Sequence, residues 1–85
     1  ALSVNNVVDY STNIFPNPAK NNITIENSNF VINSIEIYNI AGQLVKVENV
    51  NSTRTNINIS DLDKGIYIIE LHTNKTTIRR KLIVE

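Results

Sequence analysis

Apolar and polar residues alternate in short runs from Ile14 onward, and turn-forming residues separate the runs. This period of two is typical of half-buried strands, because successive side chains of a strand point to opposite faces of its sheet. No long stretch repeats apolar residues at helical spacing. The runs predict seven strands, at residues 14–15, 22–26, 34–40, 44–48, 55–59, 66–71 and 76–84. This number of strands, about 8–12 residues apart, predicts a sandwich or a small barrel.

The connection between the third and fourth predicted strands, Ala41-Gly42-Gln43, is short. Its glycine can adopt positive φ, so the sequence predicts a hairpin here. Apolar positions expected to face inward predict the core. These residues are Ile23, Ile25, Ile35, Ile37, Leu44, Val47, Ile57, Ile59, Leu62, Tyr67, Ile69, Leu71, Ile78 and Leu82.

The composition agrees with strands joined by tight turns, since isoleucine, valine and threonine favour strands and asparagine favours turns. A length of 85 residues permits one domain, and 8 basic residues balance 8 acidic ones. Because the net charge is zero, no overall field attracts nucleic acid or an anionic membrane. The chain has no cysteine, which excludes disulfides and cysteine-based metal sites.

No run approaches the roughly 18 apolar residues of a membrane-spanning helix, so we expect no transmembrane segment. The first residues lack a basic region followed by an apolar run. A secretory signal peptide is therefore expected only on a part of the protein upstream of this sequence. Residues 1–13 are polar without sustained periodicity, as in a frayed terminus or a linker.

The motif Asp63-Lys64-Gly65-Ile66-Tyr67 has the Asp-x-Gly-x-Tyr form of the tyrosine corner of immunoglobulin-like sandwiches. In that corner the phenol hydroxyl bonds to backbone a few residues upstream. We interpret the motif as structural. It favours a single immunoglobulin-like antiparallel β-sandwich of about seven strands, all-β in class.

Two further motifs permit a structural role and a recognition role. Pro16-Asn17-Pro18 contains two residues of fixed φ that cannot donate to a strand ladder, so it belongs at an edge or in a connection. Arg79-Arg80-Lys81 must alternate between the two faces of the last strand. Such cations keep an edge strand from aggregating, and they can also dock on carboxylates or add to a partner's sheet.

The sequence offers little catalytic chemistry. His72 is the only histidine. One imidazole without a second histidine or a cysteine does not supply a metal site or a nucleophilic pair, and we expect it to be solvated at a strand end. Asp61 and Asp63 lack the oxygen-rich loop of a calcium site and are interpreted as turn formers. We expect no enzyme activity, no metal, no cofactor and no small-molecule substrate.

Four segments occur in order between residues 14 and 84. They are residues 14–20 around Pro16-Asn17-Pro18, then Gly42-Gln43-Leu44-Val45, then residues 61–67 with the tyrosine-corner motif, and the basic-to-apolar tail of residues 79–84. This order resembles the type A C-terminal sorting domain of the type IX (Por) secretion system of Bacteroidota. The resemblance implies a sorting domain at residues 14–85 and a linker with the processing site at residues 1–13. Residues implied in recognition are Pro16, Asn17, Pro18, Gly42, Leu44, Val45, Gly65, Tyr67, Arg79, Arg80, Lys81, Leu82 and Ile83.

The resemblance also implies a mechanism. Such a domain folds in the periplasm and is recognised by the outer-membrane type IX translocon and its shuttle β-barrel protein. A sortase-like cysteine protease then cuts upstream of the Pro-Asn-Pro segment. The fused cargo protein ends at the cell surface or is secreted.

Two other functions stay open. A carbohydrate-binding module needs exposed aromatic residues. This chain has no tryptophan, and Tyr38 and Tyr67 lie in predicted strands, which leaves Tyr10. An inert fibronectin-type spacer would have the same sandwich and the same corner. It does not account for Pro-Asn-Pro together with a basic final strand.

Overall fold

The computed structural model describes residues 12–85, so the predictions for residues 1–11, which hold most of the linker, lie outside the described residues. Residues 12–85 form seven strands and no helix, which confirms the predicted all-β class. The strands are β1 (Thr12–Phe15), β2 (Asn22–Asn27), β3 (Ile32–Asn39), β4 (Leu44–Ser52), β5 (Arg54–Asn58), β6 (Gly65–Thr73) and β7 (Thr77–Val84).

The strands form two antiparallel sheets that pack face to face. One sheet has three strands in the order β1-β2-β5, and the other has four in the order β4-β3-β6-β7. This is the strand arrangement of an immunoglobulin-like sandwich, in which the sixth and seventh strands continue the sheet begun by the third. The predicted hairpin is confirmed, since β3 pairs with β4 and Gly42 has a φ of 84° in the connecting turn.

Isoleucine dominates the core between the sheets. The predicted core positions on β2, β3, β5, β6 and β7 are buried, as is Ile59, while Leu62 is partly buried and packs against the core. Three buried apolar residues were not among the predicted core positions: Ala19, Ile32 and Val84. Ala19 and Val84 face each other in an isolated bridge that only the folded chain brings together.

The core predictions for Leu44 and Val47 on β4 are wrong, because 48% and 51% of these residues are exposed. The register with β3 shifts between Ile37–Lys46 and Tyr38–Leu44, so Val45 is an extra residue in β4. Such a bulge reverses the alternation of faces along a strand. Lys46 therefore takes the inward position on this edge strand, where it bonds to Asp61 at 3.2 Å.

Candidate recognition surface

The Pro16-Asn17-Pro18 segment connects β1 to β2 and lies against the free edge of β7. The Asn17 Nδ2 donates to Lys81 O at 2.9 Å, and Asn17 Oδ1 accepts from the backbone N–H of Ile83 at 3.0 Å. Ala19 continues the contact, since its N–H donates to Ile83 O at 2.8 Å and its carbonyl accepts from Glu85 N–H at 2.8 Å. The segment thus lies at an edge, as expected for a motif that contains two prolines.

These bonds occupy the part of the β7 edge that a partner's strand would need. Nearer the beginning of β7, Arg80 Nη1 donates to Arg79 O at 2.9 Å. An added strand would have to displace all of these contacts. Strand addition at β7 is therefore the less favourable of the two recognition modes that its basic residues suggested, and side-chain contact is favoured.

The side chains of β7 alternate as expected. Ile78, Leu82 and Val84 point into the core, and Arg80 shares that face but is only partly buried. Arg79, Lys81 and Ile83 point to the opposite side, which is the solvent side of the four-stranded sheet. We call this solvent side the outer face.

The strand register divides the outer face into rows that run across the sheet. At one end Ile66 pairs with Ile83, and the next row runs Leu44–Tyr38–Ile68–Lys81. These two rows are mainly apolar, and Ile66 is 50% exposed. We call the apolar and aromatic residues of these two rows, without Lys81, the apolar half of the outer face. Their exposure matters because aliphatic side chains on a strand normally face a core or a partner.

The other rows of the outer face are polar. One runs Val47–Glu36–Glu70–Arg79 and the next Asn49–Ser34–His72–Thr77. Arg79 Nε donates to Glu70 Oε2 at 2.7 Å. Because Arg79 pairs with an acid of the same face, Lys81 is the cation that stands beside the apolar half.

A shallow cavity of about 530 Å³ joins the β3–β4 turn to the basic residues of β7. Ile40 and Gly42 line it from the turn, Tyr38, Ile68 and Glu70 form its floor, and Arg79, Arg80 and Lys81 line its other side. The fold thus places two of the four ordered segments around one depression. Ile40 is 81% exposed at its rim.

His72 lies near the end of β6, as predicted, but it is only partly exposed and belongs to a cluster of titratable groups on the polar rows. Its Nε2 lies 2.8 Å from Glu36 Oε1 and 3.5 Å from Glu70 Oε1. The hydroxyl of Tyr38 donates to the same Glu36 oxygen at 2.8 Å. The bonds from Tyr38 and then from His72 lower the pKa of Glu36, and the bond to Glu36 raises the pKa of Tyr38.

Several residues implied in recognition serve the fold in this structure. Leu82 is fully buried and Tyr67 is 7% exposed, so both side chains belong to the core. Tyr67 forms the tyrosine corner, because its hydroxyl donates to Asp63 O at 2.5 Å. Gly65 precedes it with a φ of 156°, which side chains other than glycine rarely adopt. Leu44, Val45, Arg79 and Lys81 are exposed.

Two exposed apolar residues of this surface, Ile40 and Ile66, were not predicted. The alternation of Ile66 and Ile68 with Tyr67 and Ile69 was visible in the sequence. It did not show which of the two faces of a strongly apolar strand is covered. Within residues 12–85 the second sheet packs on the opposite face of β6, so this part of the chain places no second layer over the outer face.

The geometry defines a class of protein: an immunoglobulin-like domain with one open, partly apolar sheet face. Shallow depressions, and no deep cleft lined with a nucleophile and a base, characterise the surface of residues 12–85. None of the described residues belongs to a helix able to cross a membrane. Such a surface is suited to binding another macromolecule.

Residues 13–85 match the sequence profile of the secretion system C-terminal sorting domain. The chain belongs to this family, which is that of the type IX secretion system. The resemblance seen in the ordered segments is thereby confirmed.

Two curated relatives extend over nearly the whole chain. Beta-agarase A of Zobellia galactanivorans is 38% identical over 86 residues, which cover 99% of this chain and 15% of that protein. Ulvan lyase NLR42 of Nonlabens ulvanivorans is 33% identical over 85 residues, covering 98% of this chain and 16% of that protein. The chain therefore spans about one sixth of the length of these relatives, both of which come from Bacteroidota.

Proposed function

We propose that this domain is the C-terminal address that sends a fused cargo protein across the outer membrane through the type IX secretion system. The observation that carries the proposal is the family match over residues 13–85. The relatives support it, because a stretch common to an agarase and a lyase covers only about one sixth of each. The domain itself then has no catalytic role, and it acts without cofactor, nucleic acid or small-molecule substrate.

The outer face is the surface that the translocon or its shuttle β-barrel protein contacts. Burial of its apolar half against a partner would stabilise the complex by about 25 cal/mol per Å² of apolar surface removed from water. Lys81 and Arg79 border that area and supply charge for orientation. Recognition of this kind requires the folded domain, because the residues of the outer face come from β3, β4, β6, β7 and one turn.

The Pro16-Asn17-Pro18 segment has a structural part in this function. It forms hydrogen bonds along the edge of β7 and so holds the start of the domain against its last strand. A sortase-like protease that cuts within residues 1–13 then acts beside a rigid segment. The cargo passes through the periplasm and is afterwards attached to the cell surface or released.

An export assay tests the proposal. A fluorescent protein directed to the periplasm carries residues 1–85 at its C-terminus, in a host with a working type IX system and in an isogenic translocon mutant. We expect the reporter outside the wild-type cells and inside the mutant cells. Mass spectrometry of the exported reporter locates the cleaved bond. Retention in both strains, with the domain folded, would overturn the sorting function and favour a spacer.

Matched pairs of substitutions test the surface separately from the function. Leu44→Thr with Ile66→Thr changes two half-exposed apolar residues of the outer face, and Phe15→Thr with Val31→Thr changes two of similar exposure elsewhere. We expect only the first pair to reduce export. Both proteins must first show the same circular dichroism and urea midpoint as the parent. Equal export by both pairs would place recognition elsewhere, although the sorting function would stand.

The cations are tested in the same way. Arg79→Ser with Lys81→Ser removes two positive charges from the outer face, and Lys64→Ser with Lys75→Ser removes two exposed ones elsewhere. If charge at the outer face orients the domain, the first variant is exported more slowly than the second. Equal rates would limit recognition to the apolar half.

A further inference from the structure

We propose that Glu36, Glu70 and His72 form a binding site for a divalent transition metal such as Zn²⁺ on the outer face. Their potential ligand atoms, one from each side chain, all lie within 4.8 Å of one another. Glu36 comes from β3, and Glu70 and His72 come from alternate positions of the adjacent β6. Each side chain is partly buried, so the three are held in place and can still be reached from solvent.

The separations between His72 and the two carboxylates fit a metal of this size. Zn²⁺ binds nitrogen and oxygen at about 2.0–2.2 Å in a tetrahedron, which places neighbouring ligand atoms about 3.3 Å apart. His72 Nε2 lies 2.8 Å from Glu36 Oε1 and 3.5 Å from Glu70 Oε1, on either side of that separation. Small rotations of the two carboxylates therefore admit the ion. Three protein ligands leave the fourth position to water or to a group from a partner.

The neighbouring residues orient two of the ligands. When Nε2 binds a metal, the imidazole keeps its proton on Nδ1, and Thr77 Oγ1 lies 3.3 Å from that atom as an acceptor. Glu70 bonds to Arg79 through Oε2 and presents Oε1 to the imidazole. In metal sites, a hydrogen bond to the second oxygen of a ligating carboxylate commonly holds that carboxylate in its orientation.

The ligand set selects the kind of cation. One imidazole nitrogen with two carboxylates suits Zn²⁺, Co²⁺ and related ions, whereas Ca²⁺ and Mg²⁺ require more oxygen ligands. With Arg79 beside Glu70 and a neutral imidazole, the two carboxylates leave the cluster a net charge of −1 before a divalent ion binds and +1 afterwards. This inference is independent of the sorting function, because it rests only on the side chains of the outer face.

The experiment titrates residues 1–85 with Zn²⁺ and, as a spectroscopic probe, with Co²⁺. The chain has one histidine and no cysteine, so its imidazole resonances report on this site alone. We expect one equivalent of Zn²⁺ by calorimetry, a saturable shift of the His72 imidazole signals, and Co²⁺ absorption bands. Mg²⁺ at the same concentration should cause none of these. Imidazole signals that do not move with millimolar Zn²⁺ would overturn the proposal.

Three variants locate the ion. His72→Gln and Glu36→Gln each remove one ligand and should weaken Zn²⁺ binding at least tenfold. Losing only a group that hydrogen-bonds to a metal ligand already weakens metal binding by about tenfold or more. Glu48→Gln removes an exposed acid of β4 and should bind as the parent does. Equal binding by Glu36→Gln and Glu48→Gln would contradict the site. The imidazole shift of the parent protein decides the question even if one variant fails to fold.

Discussion

The side-chain amide of Asn17 bonds to Lys81, 64 positions away, and so joins the start of the domain to its last strand. A carboxamide carries the same donor and acceptor as a peptide group. Asn17 uses both, because its oxygen also accepts from the N–H of Ile83. It thus stands in for a residue of a neighbouring strand along the edge of β7. Two motifs at opposite ends of the sequence are parts of one structural unit.

We expect Asn17→Ala to destabilise the domain by about 1–2 kcal/mol, because it removes two exposed hydrogen bonds of about 0.5–1.5 kcal/mol each. Urea unfolding at neutral pH measures the loss. Hydrogen exchange of the Ile83 amide should also become faster, since its acceptor is Asn17 Oδ1.

The control for this prediction is Asn21→Ala, an exposed asparagine of the same connection. Its backbone carbonyl accepts from Ile59, and the substitution leaves that bond in place. Equal destabilisation by the two variants would show that the bonds of Asn17 to β7 contribute nothing particular.

Tyr67→Phe should lower the free energy of unfolding by about 0.5–1.5 kcal/mol, the usual effect of one lost hydrogen bond. The ring stays in the core, and only the bond from the hydroxyl to Asp63 O disappears. The dependence of unfolding on urea should keep its slope, since the buried surface is unchanged. A variant as stable as the parent would show that the tyrosine corner acts through its ring alone.

Gly65→Ala should destabilise the domain by about 1–3 kcal/mol through backbone strain. The φ of 156° is one that side chains rarely adopt, while an added Cβ would meet no atom within 4 Å. If backbone strain acts without a steric clash, Gly65→Ala and Gly65→Ser should lower the free energy of unfolding by nearly the same amount. Thermal unfolding of the two variants tests this, and a much larger effect of serine would indicate a steric cause.

Stability should depend on pH through Glu36 and Tyr38. Hydrogen bonds lower the pKa of Glu36 in the fold, so its ionised form stabilises the domain above the unfolded pKa. That contribution is lost as pH falls through the folded pKa. Tyr38→Phe removes the leading cause of the shift. We therefore expect the stability difference between Tyr38→Phe and the parent to be larger at pH 7 than at pH 3.

Tyr67→Phe is the matched control for this pH experiment. It also removes one phenol hydroxyl, but the acceptor is a backbone carbonyl that does not titrate. Its stability difference from the parent should be the same at both pH values. Urea unfolding of the three proteins gives the comparison. Parallel pH dependence of the two variants would contradict the role assigned to Glu36.

Much of the fold followed from local pattern. The alternating runs predicted the strands, Gly42 predicted the hairpin, and the Asp-x-Gly-x-Tyr motif predicted the corner in which Tyr67 bonds to Asp63. These features depend on neighbours in sequence. The ordered segments likewise indicated the sorting family, which the match over residues 13–85 confirmed.

The failures on β4 and β6 share one physical cause, which is that a period of two marks two faces without showing which one is covered. On β4 the bulge at Val45 turned Val47 outward and Lys46 inward. On β6 both faces are apolar in sequence, and the three-stranded sheet packs only on the face of Tyr67 and Ile69, which leaves Ile66 exposed.

The sequence by itself determined the class of fold, its turns and its family, because local periodicity and motif order carry that information. Tertiary structure alone decided the contacts between distant segments. It placed Asn17 on the edge of β7, and it brought His72 of β6 next to Glu36 of the neighbouring β3. Those pairings depend on strand order and register, which are settled only when the two sheets close over their common core.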